Sequence, residues 1–260
     1  MKDCGFKAVE IIWLKDMQAG VWGDKKMKIN RNQLKYILII AMLIDHITWA
    51  FIPTRSVAGQ CLHFIGRLTG PGMALLLAEG YQYTRNKAKY ALRLFVFAMI
   101  SWAPYCLNDY GKWPYFGMGM FGVIWTFFLA FLTVWMWDQL KTYKALKVIL
   151  VIFACILSLF GDWSIFAVLW ALYAYIYRDA PRKKWIAFSI VAVCEVLLAM
   201  LFAASVSAAL FQTGVVMVPF LFAFCYNGEP GSRAAFHKWF FYVFYPLHIM
   251  IIYLIKTAVG

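Results

Sequence analysis

The sequence predicts an all-α protein: a polytopic transmembrane helix bundle of about nine spans, or seven plus a re-entrant hairpin, with the N-terminus inside and the C-terminus outside. Three observations lead there. Of 260 residues, 64% are hydrophobic and 14% charged, whereas a soluble domain carries about 45–50% apolar and about 25% charged residues. The apolar residues fall in repeated runs close to the roughly 20 residues that cross a bilayer. Lys and Arg crowd into every second connection.

Taken in order, residues 1–33 form a polar, Lys-rich cytoplasmic segment, and Met27 opens an alternative start in MKINRNQLKY. Phe6, Val9 and Trp13 fall near helical spacing, so the part before Met27 reads as a surface helix or as an extension of the coding start. It lacks the apolar core and small-residue cleavage site of a signal peptide, and the first apolar run is expected to act as an uncleaved anchor. The transmembrane domain covers 34–257, with spans at 34–52, 62–82, 91–107, 115–137, 147–160, 163–177, 185–202, 207–226 and 239–255. The fifth and sixth are short and read equally as a re-entrant hairpin closed by Gly161, Asp162 and Trp163. Aromatic residues make up 19% of the chain, with twelve Trp, as suits rings at the membrane interfaces. The six cysteines stand singly, with no Cys-x-x-Cys and no Cys/His cluster, so no metal site is expected.

Positive charge sets the expected orientation. One side of the membrane receives the eight basic residues up to Lys35, then Arg85, Lys87, Lys89 and Arg93, then Lys141, Lys144 and Lys147. Arg178, Arg182, Lys183, Lys184, Arg233 and Lys238 fall on the same side, whereas the opposite side holds Arg55, Lys112 and Lys256. The rich side is cytoplasmic by the positive-inside rule. The net charge of +13 then reflects topology and attraction to anionic membrane lipid. Spread over several short connections, it gives no support to nucleic-acid binding.

Ionisable groups inside spans are functional hypotheses by default. Here they are Asp45, His46, Arg67, Glu79, Glu195 and His248, with His63 and Asp162 at the outer rim. Counting residues along each span puts Asp45 and His46 just past the midplane and Arg67 in the outer half at comparable depth. Asp162 falls in the outer turn and His248 midway along its span, so four of these groups are expected to converge on one outward-leaning polar cavity. Asp45 and His46 are adjacent, so they point about 100° apart on a helix and cannot form a dyad with each other. Each needs a partner on another helix, and Asp45 with Arg67 is the simplest pairing. Such a pair serves a site or merely locks two helices together, and a lone imidazole serves as a base or as an interior hydrogen bonder.

LKYILIIAMLIDHI at 34–47, IGRLTGPGMALLLAEGYQYTRNKAKYALRLFVFAMISWAPY at 65–105, GDWSIFAVLWALYAYIYR at 161–178 and FYVFYPLHIMIIYLI at 241–255 resemble, in order, blocks of the TraX family. That family is named for the conjugation protein that acetylates the N-terminus of F-pilin. The resemblance implies an acyltransferase-like domain at the plasma membrane that uses acetyl-CoA as co-substrate. It marks Asp45, His46, Arg67, Glu79, Arg85, Asp162 and His248 as the polar positions to watch. Where the family's usual block is bulkier, this chain has Leu68-Thr69-Gly70-Pro71, a smaller and more open stretch.

Acyl transfer needs a base for the acceptor's proton and a group that stabilises the oxyanion. Imidazole, with an ordinary pKa of about 6.5, suits the base. The expected roles are His46 as base, Asp45 positioning His46 or Arg67, and Arg67 holding the carbonyl oxygen or the pantetheine arm. His248 and Asp162 are helpers. Arg85, Lys87 and Lys89, with Glu79 nearby, are the expected contacts for the CoA phosphates. The acceptor, a peptide N-terminus or a glycan amine or hydroxyl, is left open, as is the choice between direct transfer and an acyl-His intermediate. Two other classes compete: a transporter relaying protons through Asp45, Glu79 and Glu195, and a non-catalytic assembly protein for pili or surface structures. The first would favour an inverted internal repeat, and none is visible.

The orientation predicts that a single cysteine at position 112 is labelled by an impermeant thiol reagent on intact cells, and one at position 87 only after the inner face is opened. The reverse pattern would invert the bundle.

Overall fold

The computed structural model describes residues 28–114, 120–203 and 205–259; expectations for residues 1–26, and for the first residues of the span at 115–137, lie outside the described residues. Among the described residues the secondary structure is helical, with two isolated β-bridges and no strand. Six segments are long and apolar enough to cross a membrane: Arg31–Phe51, Val57–Tyr83, Lys87–Tyr110, Pro181–Phe202, Val206–Cys225 and Ala235–Val259. Three shorter helices lie between them, at Val123–Gln139, Lys144–Ser158 and Ser164–Ile176.

Helix α1 (Arg31–Phe51) starts at a capping box, in which Asn30 Oδ1 accepts from the Gln33 N–H and Gln33 Oε1 accepts from the Asn30 N–H. These two bonds satisfy otherwise orphaned donors. Pro53 prevents the helix from continuing into α2 (Val57–Gly66), whose N-cap is Ser56. A second proline breaks the next span. Pro71 has no N–H to donate to the Arg67 carbonyl and its ring would clash with it, so the chain steps at Arg67 and Leu68 before α3 (Thr69–Tyr83) resumes. Arg67 therefore stands at a helix end, where its side chain is aimed by a bend.

Helix α4 (Lys87–Tyr110) begins at the Asn86 cap and ends at Gly111, which has φ 63°. Helices α5 (Val123–Gln139), α6 (Lys144–Ser158) and α7 (Ser164–Ile176) follow, then α8 (Pro181–Phe202) with proline at its first position. Helix α7 is 13 residues long and lies at the centre, packed by α3, α5 and α8, with Ala167, Val168, Trp170 and Ala171 almost wholly buried. At about 1.5 Å per residue it spans about 20 Å, short of a bilayer core of about 30 Å. Helix α9 (Val206–Cys225) is irregular. Val206–Val216 is a 3₁₀-helix, followed by one α-turn and a π-turn at Leu221–Cys225. Runs of 3₁₀ beyond three or four residues are uncommon and mark strain or a hinge. Helix α10 (Ala235–Val259) carries Pro246 in its interior and packs on α4 and α1.

Two polar anchors hold the end of the bundle that bears Arg31, called here the basic end. Glu79 on α3 binds the Arg31 guanidinium and accepts from the Tyr226 hydroxyl at 2.8 Å, tying α1, α3 and the end of α9 together. Asp138 on α5 accepts from the Tyr81 and Tyr175 hydroxyls, both at 2.6 Å, joining α5 to α3 and α7. Glu79, expected near the CoA phosphates, is thus consumed by a structural cluster. Replacing Glu79 with Ala should cost about 2 kcal/mol and lower the detergent unfolding midpoint. The Arg31→Ala/Glu79→Ala double variant should lose less than the sum of the singles.

Candidate functional site

The turn between Asp45 and His46 on α1 sends the two side chains to different neighbours. Asp45 is buried and faces the bend between α2 and α3. Its Oδ2 accepts from Arg67 Nη2 at 2.6 Å and its Oδ1 from His63 Nδ1–H at 2.7 Å. Both partners come from one helix face, because His63 and Arg67 are four residues apart. The Asp45 carboxylate lies directly on Gly66, where any Cβ would collide with it. The roof is aromatic: Trp163 covers the Arg67 guanidinium at 4.7 Å and Phe211 at 5.3 Å, while Trp49 and Phe211 pack on His63. His63 is wholly buried and its Nε2 has no hydrogen-bond partner among the described residues.

The stretch after Arg67 is filled rather than open. The Trp163 indole occupies the space that a side chain at position 70 would need. Trp163 and Ser164 hold that position from a turn with φ 62° and 40°, a left-handed conformation costly for residues other than glycine. Gly70, with no side chain, admits the indole that covers Arg67.

His46 faces α10. His248 Nδ1–H donates to the Phe244 carbonyl at 2.7 Å, and His248 Nε2 lies 3.0 Å from His46 Nδ1. A carbonyl only accepts, so the proton of neutral His248 is on Nδ1 and its Nε2 is the acceptor. His46 then donates from Nδ1, and its own Nε2 keeps an unprotonated lone pair. The chain Phe244–His248–His46 fixes which nitrogen of His46 is basic.

The single polar cavity expected to gather four of these groups is therefore two clusters: Asp45–His63–Arg67 and His46–His248. The cause is the 100° step between adjacent helix residues. Asp45 positions Arg67 and His63, and it does not hold His46. Asp162 joins neither cluster by a hydrogen bond. Its Oδ1 accepts from the Trp163 N–H at 2.9 Å and its carbonyl from Thr126, while its N–H donates to the Phe121 carbonyl, so it shapes the turn that carries Trp163. Glu195 is buried on α8, and its Oε2 has no partner among the described residues. No group of three or more His, Cys, Asp or Glu among the described residues is arranged to hold a metal ion.

Below His46 a cavity of about 440 Å³ extends from the basic end. Its wall on α1 runs through Arg31, Lys35, Ile39 and Met42, a helical stripe whose next member is His46; on α10 it runs through His237, Phe241 and Tyr245, and the next member is His248. From Arg31 to His46 the rise is about 22 Å. The mouth is ringed by Arg31, Lys35, Arg93, Arg233 and Lys238. Of these five, Arg31 alone forms a carboxylate ion pair among the described residues. The deep part is apolar, with Ile39, Met42, Val123, Ile124 and Phe127. The segment at 83–90 adds Tyr83, Thr84 and Tyr90 to the wall, but the charges of Arg85, Lys87 and Lys89 do not line it. Arg67 does not line it either, so the pantetheine contact expected of Arg67 has no geometric basis here.

A family model described as TraX protein matches residues 30–256. The chain belongs to the TraX family. It is similar to the probable fimbrial assembly protein FimC, serogroup H1, of Dichelobacter nodosus, 33% identical over 238 residues that cover 88% of this chain and 96% of the relative. No solved structure matches it. With six apolar helices of spanning length and this membership, the chain is a multi-pass membrane protein.

Residues missed by sequence reasoning are His63 as second partner of Asp45, and the cavity cations Lys35, Arg93, Arg233 and Lys238. The spacing of His63 and Arg67 was a usable signal for the first. Removing the Asp45 carboxylate as Asp45→Ala should cost about 3–5 kcal/mol, because it strands a buried guanidinium. Asp45→Asn, which keeps one acceptor, should cost less. Unfolding in detergent, followed by light scattering or intrinsic fluorescence, measures both.

Proposed function

We propose that this chain is an integral membrane acetyltransferase that moves an acetyl group from acetyl-CoA to an amine or hydroxyl of an exported acceptor. The observation that carries it is a cavity with a polycationic mouth and an apolar shaft whose lining stripes on α1 and α10 continue to His46 and His248. A CoA thioester has the matching order of parts: a phosphorylated head, a long thin arm and a small acyl tip. Arg31, Lys35, Arg93, Arg233 and Lys238 would hold the phosphates, in place of the Arg85–Lys89 loop charges. The basic end is then cytoplasmic, in line with the bias of loop charges, and the acceptor approaches from the other side.

In this reading His46 Nε2 takes the proton from the acceptor N–H or O–H as the acceptor atom bonds to the acyl carbon. The C–S bond breaks, and the departing thiolate receives that proton from His46. His248 is a positioning residue: its bond to the Phe244 carbonyl holds the tautomer that leaves His46 Nε2 basic. The Asp45–His63–Arg67 cluster braces α1 against α2, and so fixes the height of His46. The name of the relative, a fimbrial assembly protein, favours a fibre subunit with a free N-terminus as acceptor.

Purified protein incubated with labelled acetyl-CoA and an acceptor peptide tests the proposal. His46→Ala should lose about 10²–10⁴-fold in transfer rate while still binding CoA. Arg233→Ala/Lys238→Ala should weaken CoA binding several-fold at low salt, with the difference shrinking at high salt. Label transferred equally by wild type and His46→Ala would sink the role of His46, and absence of CoA binding to the wild type would sink the reaction class.

A further inference from the structure

The cavity stops one helical turn short of His46, and one side chain accounts for the stop. Tyr245 is almost wholly buried, lines the end of the cavity, and stands edge-on to both histidines, 6.3 Å from the His46 ring and 5.6 Å from the His248 ring between centroids. Its hydroxyl is pinned on the far side, where it accepts from the Val123 N–H at 3.1 Å. That N–H belongs to the first residue of α5 and has no partner within its own helix. The hydroxyl also fills the space above Gly122, where any Cβ would collide with it. The ring is thus fastened across the shaft from α10 to the start of α5.

The mounting of this ring is breakable. Pro246 follows it directly and lacks the N–H that would bond the Tyr242 carbonyl, so the α10 ladder is interrupted where the ring is attached. The latch itself is one neutral hydrogen bond.

We propose that Tyr245 is a partition between the donor cavity and the His46–His248 pair, and that it restricts the donor to short-chain acyl thioesters. This specificity rests on the acetyltransferase reading above, whereas the partition itself does not. A two-carbon acyl group needs little space beyond the sulfur. Each further methylene must enter the volume held by the ring, between Met42, Val123 and Ile124 on one side and the histidines on the other. With the ring latched, the shaft is closed to water and to the far side of the membrane. A small swing of the ring brings the thioester carbon of an acetyl group within reach of His46, whereas each added methylene demands a larger one.

Thiol labelling tests the partition without any enzymatic readout. In a chain whose six native cysteines are replaced by Ser or Ala, single cysteines are introduced as His46→Cys or Met42→Cys, with Tyr245, Tyr245→Phe or Tyr245→Ala behind them. Vesicles of both orientations are treated with a small impermeant methanethiosulfonate. From the basic end, labelling at position 46 should be at least about tenfold faster with Tyr245→Ala than with Tyr245, with Tyr245→Phe between them. Labelling at position 42, below the ring, should not change. Equal rates at position 46 in all three backgrounds would overturn the partition, and so would an equal acceleration at 42 and 46, which signals a loosened bundle. Acyl-CoA donors from acetyl to hexanoyl then test specificity. Tyr245→Ala should raise kcat/KM for butyryl-CoA relative to acetyl-CoA by about tenfold, and an unchanged ratio would overturn the chain-length role. If wild type transfers no acyl group from any donor while the labelling pattern holds, the enzymatic reading fails and the partition stands.

Discussion

A carboxylate among membrane helices must have its lone pairs met from other elements, because water is not there to meet them. Asp45 is met twice, by Arg67 and His63, and most of the local architecture follows from that requirement. Both donors come from one short helix face, so α2 has to end where it does. It ends there because Pro71 breaks the ladder at Arg67. The guanidinium then sits at a bend, and its exposed face is closed by Trp163 from the α6–α7 turn and Phe211 from the 3₁₀ part of α9. The irregular helix and the left-handed turn are local costs borne at the same place, around one buried charge cluster.

Much of this was legible in the sequence, for identifiable reasons. Apolar runs and alternating charge indicated a helical membrane bundle, because the bilayer imposes a length and a composition on each crossing. The divergence of Asp45 and His46 followed from helix geometry alone, and Asp45 with Arg67 was the simplest satisfied pair. What could not be read was which of many basic residues surround a cavity. The positive-inside rule puts Lys and Arg at one end whatever they touch, so Arg85, Lys87 and Lys89 looked as suitable as Lys35, Arg93, Arg233 and Lys238. Only packing across some 200 residues of chain separates the two sets. The Gly70 region misled in the opposite way. Small residues suggested open space, although the space is taken by an indole from a distant turn.

The division of labour along α1 is correspondingly sharp. One face carries a charge cluster sealed by aromatic rings, and the adjoining face carries the cavity stripe that leads towards His46. Rotating α1 by one residue so that His46 turned towards Arg67 would carry Asp45 a further 100° away from both its partners, so the register of this single helix sets both environments. The Asn30–Gln33 capping box at its start and the Glu79–Arg31 contact one residue later are placed where they resist such a rotation.

The cavity mouth carries four cations without a carboxylate partner among the described residues. A field of that kind draws in any multiply charged anion, whether nucleotide, polyphosphate or lipid headgroup, and it discriminates poorly among them. Selectivity has to be imposed deeper, where the wall becomes apolar and narrow. The arrangement works as a funnel followed by a gauge: electrostatics set how often a ligand arrives, and steric fit sets which ligand stays.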